Sequence, residues 1–409
     1  MKFANYRYSG KNINNLGDHV QILTFDYLYQ KMGIPKEDII YIDLEELGCY
    51  EGEPVRLPVS MPLMNYHEHG IADMFSGQIT PVFFGLTLAK DNLLPEEVLY
   101  LKKHEPIGCR DERTFDTLST YGILAYLGGC LTVTIEKRET DEKKQNKVFI
   151  IDPTKGVADY IPQSLQQDAI VDTHMFYEKL DNPTELANQR YTTYKEEAKL
   201  VITSLLHCSI PCMAMGIPVI LAKDVVSYRF AWVEALLQIY TPNEYHQIDW
   251  EPNPIECEFL KRTIREMFQK RMLREEAAPV IQQIHDFYMD RRRKDYVVDA
   301  FVSIKEFIDR MWTESERAYN YSVWGLTQMA DMTVSYIEKL YPNARLMHVY
   351  DLRVGTPFKG IRAIHPDATA SYPDETVFVT AVGATEHAKR LFEKTEKSKD
   401  TFHILGIVL

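Results

Sequence analysis

The segment from Ala198 to Ile220 constrains the fold more than any other part of the chain. An apolar run at Leu200–Thr203 ends in a short polar turn, a helical stretch follows, and Gly216 and Pro218 precede another apolar run. Short β-branched runs separated by a helix and bounded by glycine and proline are typical of a β-α-β unit. The sequence therefore predicts parallel strands joined by a helix, with His207 just after the carboxyl end of the first strand.

The same alternation of apolar runs and amphipathic stretches recurs along the chain, which has 409 residues. The predicted strands are Ile39–Ile42, Pro81–Phe84, Pro106–Cys109, Ala125–Thr134, Lys147–Pro153, Asp168–Val171, Leu200–Thr203, Pro218–Leu221, Tyr319–Gly325, Arg345–Asp351 and Thr376–Gly383. Strands that alternate with helices favour parallel sheets covered by helices. A chain of this length exceeds what one hydrophobic core usually serves, so we expect several domains.

A charged, polar segment at residues 136–146 is typical of an exposed linker. We therefore predict an α/β fold in which two Rossmann-like domains face a cleft, as in the GT-B arrangement. The expected divisions are an N-terminal α/β domain at residues 1–140, a second α/β domain with trailing helices at 141–312, and a small C-terminal Rossmann-like α/β domain at 313–409.

The C-terminal domain lacks the glycine fingerprint of a dinucleotide site. After Trp324 the chain continues as Gly325-Leu326-Thr327-Gln328. A bound pyrophosphate requires further glycines here, because the backbone must approach it closely. We expect no resident cofactor, and a structural or partner-binding role for this domain.

Charge and composition limit the partners. The formal net charge of −13 argues against a nucleic-acid binder that neutralises phosphates, although a local cationic pocket can still hold an anionic substrate. A basic run at residues 290–295 is bracketed by acids, and we interpret it as a solvated helix face. The alternative is a phosphate contact or a peripheral contact with the inner membrane surface. The sequence is compatible with a monomer and with a homo-oligomer.

The first eight residues lack the apolar run of a signal peptide, and no stretch approaches the roughly 18–20 apolar residues of a membrane-spanning helix. The six cysteines contain no Cys-x-x-Cys pair. We therefore expect free thiols, no metal site and a cytoplasmic protein.

The first candidate site is the turn that contains Asn15, Gly17, Asp18 and Gln21. Gly17 permits a tight loop, and Asp18 suits the start of a helix. One interpretation is a simple capped helix. The other is a turn that brings backbone amides and these polar side chains to a cleft.

The second candidate is Arg110, which follows a predicted strand and precedes a predicted helix. Arginine suits the bidentate capture of a carboxylate or phosphate. The alternative is that Arg110 pairs with Asp111 or Glu112 and only holds the turn.

The third candidate is the turn that contains Thr203, Ser204 and His207. Open α/β sheets bind ligands at the carboxyl ends of their strands, and histidine transfers protons near neutral pH. Lys223 and Arg229, after the next strand, are candidate supporting cations.

Together these motifs resemble the polysaccharide pyruvyl transferase family, including its bacterial members, over roughly residues 10–250. They are Asn15-Leu16-Gly17-Asp18, Gly108-Cys109-Arg110-Asp111, and Thr203-Ser204-x-Leu206-His207 followed by Met215-Gly216-x-Pro218-Val219-Ile220. The resemblance implies transfer of pyruvyl from phosphoenolpyruvate, a co-substrate, to a pair of hydroxyls on a lipid- or nucleotide-linked sugar during capsule or exopolysaccharide biosynthesis. It also implies a proton-transfer role for His207. We expect Asp18 to be the second catalytic residue.

The chain departs from the family motif at Leu205, where the family has an arginine two residues before the histidine. Losing one charged donor costs roughly 2–4 kcal/mol of transition-state stabilisation, unless Arg110, Lys223 or Arg229 compensates. The alternatives are therefore a glycosyltransferase of the same architecture that uses a nucleotide-sugar, and a catalytically weakened scaffold or binding protein.

Overall fold

The computed structural model describes residues 2–8, 15–63, 70–88, 93–176, 180–291, 300–372, 375–381, 384–394 and 402–404. The chain forms two compact units. One comprises Met1–Pro62, Ile71–Thr87 and Leu94–Tyr296, and the other comprises Leu63–Gly70, Leu88–Leu93 and Val297–Leu409. Within the described ranges, no helix combines the length and the apolar character needed to cross a bilayer.

The N-terminal part of the first unit is built on a parallel sheet. Its elements are β1 (Lys2–Arg7), α1 (Leu16–Lys31), β2 (Ile39–Asp43), β3 (Val55–Val59), β4 (Pro62–Leu63), β5 (Ile79–Phe83), β6 (Thr87–Leu88), α2 (Pro95–Lys103), β7 (Ile107–Cys109), α3 (Glu112–Thr120) and β8 (Ala125–Leu127). The sheet order is β2-β1-β3-β5, and every pairing in it is parallel. The order reverses between β1 and β3, which creates a crevice at their carboxyl ends.

The second part of the first unit repeats this design. Its elements are β9 (Lys147–Ile151), α4 (Lys155–Ala158), α5 (Gln163–Gln166), β10 (Ile170–Asp172), α6 (Pro183–Glu197), β11 (Ala198–Thr203), α7 (Leu206–Ala214), β12 (Val219–Ala222), β13 (Ile239–Tyr240), α8 (Glu258–Leu273) and α9 (Ala278–Met289). The strands are parallel in the order β10-β9-β11-β12-β13. The order therefore reverses between β9 and β11.

Burial explains why these strands are nearly uninterrupted apolar runs. Both faces of β11 and β12 are covered, and Leu200, Ile202 and Ile220 lie in one apolar cluster under the second sheet. Helix α7 stops at Gly216, whose φ of +75° is a left-handed conformation that glycine adopts without strain. The predicted β-α-β unit is confirmed in this segment.

The second unit is also α/β. Its elements are α10 (Ala300–Met311), β14 (Asn320–Trp324), α11 (Gln328–Leu340), β15 (Arg345–Tyr350), β16 (Pro357–Phe358), β17 (Ile361–Arg362), β18 (Thr376–Val379), α12 (Thr385–Lys394) and β19 (Phe402–Ile404). The order β15-β14-β18-β19 is parallel. The carboxylate of Asp351, just after β15, is occupied by Arg353 and by the N–H of Leu326.

The α/β fold with parallel, Rossmann-like sheets is thus confirmed, with local corrections. The strand predicted at Ala125–Thr134 ends at Leu127, because Gly129 adopts a φ of +63° and a short 3-10 helix follows at Leu131–Thr134. Strand β1 was not predicted, although four of its six residues are buried in the sheet.

Some predictions remain untested. The division near residue 140 falls between the two parallel sheets of the first unit, and the divisions near 140 and 312 stay predictions. Residues 292–295 of the basic run, and Val382 and Gly383 of the last predicted strand, lie outside the described residues.

Candidate active site

The start of α1 reaches from the first sheet to the second. The N–H of Leu16 donates to the carbonyl oxygen of His174 at 3.0 Å, and Asn15 forms an isolated antiparallel bridge with Met175. The segment at His174–Met175 follows β10, beside the crevice of the second sheet. The turn at residues 15–21 therefore lies against the β11–α7 junction, and two of the predicted motifs meet.

Gly17 and His207 are in direct contact at this meeting point. A Cβ atom built on Gly17 would lie 2.6 Å from Cβ of His207 and 3.0 Å from its Nδ1. Any larger residue at position 17 would displace the imidazole. The glycine is thus required for close approach, in addition to the tight loop that the sequence predicts.

His207 lies in the first turn of α7, at the amino end of the helix. The hydroxyl of Tyr191 donates a hydrogen bond to the backbone carbonyl oxygen of His207. Sγ of Cys130 lies 4.0 Å from Nε2 of His207. Burial, together with the charges of Arg110 and Arg229, holds the pKa of His207 well below its usual value. The imidazole is therefore neutral at pH 7 and able to accept a proton.

Asp18 follows Gly17 in the first turn of α1 and is only partly exposed. Burial raises the pKa of its carboxyl group to about 6, although Arg229 and Arg110 act in the opposite direction. A carboxyl group with this pKa exchanges protons near neutral pH. It is suited to general acid–base chemistry.

Arg110 is 1% exposed, and its charge acts on both Asp18 and His207. One amino group donates to Oε1 of Gln21 at 3.0 Å and to the carbonyl oxygen of Ser60. Its Nε has no hydrogen-bond partner in the described part of the chain. A buried, incompletely paired guanidinium costs free energy unless an anion completes it, so this arrangement favours anion binding.

The charge of Asp111 acts on Arg110, but the structure gives no hydrogen bond between Arg110 and the acids that follow it. Asp111 caps α3 instead, accepting hydrogen bonds from the N–H of Thr114 at 2.9 Å and from the hydroxyl of Thr87 at 2.8 Å. Among the residues that the structure describes, no carboxylate forms an ion pair with Arg110. The turn is held without the arginine, because the helix cap satisfies Asp111.

Several predicted substrate-binding side chains have local partners. Oγ1 of Thr203 accepts a hydrogen bond from the N–H of Leu205 at 3.1 Å, and Ser204 donates its hydroxyl to the carbonyl oxygen of Asp152 at 2.6 Å. Asn15 caps α1 by accepting from the N–H of Gly17 at 2.9 Å. These three side chains therefore stabilise the turns around the crevice.

Lys223 and Arg229 contribute positive charge from the loop after β12. Arg229 lowers the pKa of Asp18, Arg110 and His207, so its charge acts on the whole site. Burial, and secondarily Arg229, lowers the pKa of Lys223 to about 8, and its ammonium lies 4.6 Å from the ring centre of Phe230. Within the described ranges, the Arg229 guanidinium has no carboxylate within ion-pair distance.

The structure adds residues that the sequence analysis did not select as site residues. Cys130 contacts His207, and the hydroxyls of Ser60 and Tyr288 are buried with no hydrogen-bond partner in the described structure. A Cβ on Gly129 would lie 2.5 Å from the hydroxyl of Tyr288. The paired glycines before Cys130 were the available signal, because they mark a close backbone approach.

Fold and site together define a class: a GT-B-like α/β protein with a cationic crevice that contains a neutral histidine and an acid titrating near neutral pH. Comparison with curated proteins finds no match. The model of the polysaccharide pyruvyl transferase family matches residues 15–222, half of the chain. The chain belongs to this family, and its predicted membership is confirmed.

Proposed function

We propose that this protein transfers pyruvyl from phosphoenolpyruvate to a pair of hydroxyls on a lipid- or nucleotide-linked sugar, in the biosynthesis of a bacterial capsule or exopolysaccharide. The family supports a small-molecule donor and a sugar acceptor. The observation that carries the proposal is the position of Arg110. Its buried guanidinium forms no ion pair with a carboxylate of the described residues, and its charge acts on Asp18 and His207.

The donor brings a carboxylate and a phosphate, and the crevice offers matching cations. Arg110 lies under the site, with Arg229 and Lys223 on the loop after β12. The first turn of α7 adds N–H groups without partners within the helix. The unpartnered Nε of Arg110 can donate to either group, and the guanidinium of Arg229 has no ion-paired carboxylate within the described ranges, so we assign donor binding to Arg110 and Arg229.

Proton transfers through Asp18 and His207 complete the reaction. Asp18 protonates the methylene carbon of the donor, while His207 takes the proton of the first sugar hydroxyl as its oxygen bonds to the central carbon. Phosphate then leaves with the proton that His207 took up. The second hydroxyl attacks the same carbon and closes the ketal, and its proton passes to the carboxylate of Asp18. The negative charge of the bound donor raises the pKa of both residues, which favours the protonated Asp18 that the first step needs.

Arg229 supplies the positive charge that the family motif carries on an arginine at the position of Leu205. Leu205 lies directly before α7, partly buried, and supplies only its backbone to the turn. His207 is two residues after Leu205, and the charge of Arg229 lowers the pKa of His207. This supports a position of the Arg229 charge near Leu205, where the family motif has its arginine.

Calorimetric titration with phosphoenolpyruvate, combined with phosphate release in the presence of nucleotide-linked sugars, tests the proposal. We expect donor binding in the wild type, and phosphate release that falls by about 10²–10⁴ in His207→Gln. His246→Gln, at an exposed histidine, is the matched control and should retain full activity. Binding of a nucleotide-sugar without binding of phosphoenolpyruvate would contradict the proposal.

A further inference from the structure

A separate cavity of about 480 Å³ lies at the amino ends of the strands in the N-terminal part of the first unit. Its lining includes Arg56 near the start of β3, Thr80 near the start of β5, Pro106 just before β7 and Leu124 just before β8. The candidate active site follows the carboxyl ends of the strands. Because β3 and β5 are parallel, the two sites lie at opposite edges of the sheet.

Arg56 forms the buried floor of this cavity. It is 6% exposed, and one amino group donates to the carbonyl oxygen of Arg271 at 2.6 Å. Its Nε is buried without a hydrogen-bond partner in the described part of the chain. Burying a guanidinium with an unfilled donor is unfavourable, so this side chain indicates a place for an acceptor that the protein itself does not supply.

Other positive charges surround Arg56. Lys103 and Arg274 also line the cavity, and neither makes an ion pair with any described residue. Burial, with the charges of Arg274 and Arg271, lowers the pKa of Arg56 to about 10. Positive charge therefore accumulates at this point of a protein whose net charge is −13.

The acids at this cavity do not neutralise it. Glu105, Glu275 and Glu276 are exposed lining residues, whereas Arg56 is buried. The carboxylate of Glu105 accepts from the N–H of Leu124, and that of Glu276 accepts from the N–H of Ala278. Arg56 therefore lies on the buried floor, while two of the three carboxylates are held by backbone N–H groups, an arrangement that favours an anion small enough to reach Arg56.

We propose that this cavity binds a phosphate-bearing small molecule, held by Arg56, Lys103 and Arg274. Its volume lies within the range of small-molecule sites and exceeds the size of a single phosphate. Leu124, Ala278 and Ile281 add apolar lining on which the rest of such a molecule can pack. The inference is independent of the reaction proposed for the active site.

Calorimetry with inorganic pyrophosphate and with uridine diphosphate tests this site on the full chain. The variant Lys103→Gln/Arg274→Gln removes two exposed cations, so the fold should be retained. We expect its affinity for pyrophosphate to fall about tenfold or more, because two charge-assisted contacts are lost. The matched control, Lys102→Gln/Arg262→Gln, removes equal charge at exposed positions outside the cavity and should bind as the wild type does.

Hydrogen–deuterium exchange with each ligand then locates the binding. Protection of residues 103–106 and 271–278 supports the proposal. If uridine diphosphate binds more tightly than pyrophosphate, the apolar lining contributes and the natural ligand is nucleotide-like; equal affinities would indicate recognition of the phosphates alone. No binding at millimolar ligand, protection confined to residues 15–21 and 205–210, or equal loss in both double variants would overturn the proposal.

Discussion

Gly17 and His207, separated by 190 positions in the sequence, are packed so closely that a Cβ atom on the glycine would lie 2.6 Å from Cβ of the histidine. The contact joins the first turn of α1 to the first turn of α7. It therefore fixes the imidazole relative to Asp18, the next residue after the glycine.

Gly17→Ala should disturb catalysis more than folding. The new methyl group must push His207 or the start of α1 aside, and a displacement of about 1 Å at a reacting group costs about 10²-fold in rate. We expect kcat for phosphate release to fall by about 10–100-fold, with a small decrease in Tm. Gly77→Ala is the control, because a Cβ there meets no atom within 4 Å. Equal kcat values for both variants would disprove the steric role of Gly17.

Asp18 should lower stability at neutral pH. Its folded-state pKa of about 6 lies above the ordinary value of 3.8, so the folded state binds the proton more tightly than the unfolded state. Stability from this group is thus lost as pH rises from about 4 through 6. Asp18→Asn should raise the free energy of unfolding by about 1–2 kcal/mol at pH 8, after allowance for solvent screening, and the gain should vanish near pH 4.

Urea unfolding of both proteins at several pH values measures this difference. Asp116→Asn, at an exposed aspartate, is the control and should change stability by less than about 0.5 kcal/mol throughout. The same Asp18→Asn enzyme should lose about 10²–10⁴ in kcat, because the acid is gone. A stabilised variant that keeps full activity would exclude Asp18 from the chemistry.

Arg229→Gln should weaken donor binding, because its charge acts at the place where the motif has Leu205. We expect KM for phosphoenolpyruvate to rise by about tenfold or more, as for the loss of a charged hydrogen-bond donor. Adding Leu205→Arg to this variant should restore part of the affinity. Arg262→Gln is the control. An unchanged KM in Arg229→Gln, or no rescue by the second substitution, would show that Arg229 does not replace the missing arginine.

Lys223 should make donor affinity depend on alkaline pH. Burial lowers its pKa to about 8, so the ammonium loses its proton, and its charge, as pH rises from about 7 to 9. We expect KM for phosphoenolpyruvate to rise about five- to tenfold over this range. Lys223→Arg keeps its charge, so its KM should stay nearly constant. A parallel rise in both proteins would assign the titration to another group.

Much of this architecture could be predicted from local patterns. The β11–α7–β12 unit follows from apolar runs, a glycine stop and a proline, which act within a few residues of each other. Strand β1 escaped prediction because its sequence mixes tyrosine, asparagine and arginine with apolar residues. Its place in the sheet depends on pairing with β2 and β3, which lie far along the chain.

The sequence by itself determined the parallel α/β fold, the family, the strand ends at which His207 and Arg110 lie, and the helix start that contains Asp18. Only the tertiary structure decided the surroundings of each group. It assigned Thr203 and Ser204 to backbone contacts, left Arg110 without an ion pair among the described residues, and placed Gly17 against His207. The physical reason is that burial, hydrogen-bond partners and neighbouring charges are set by packing between distant segments, and these set the pKa of a side chain.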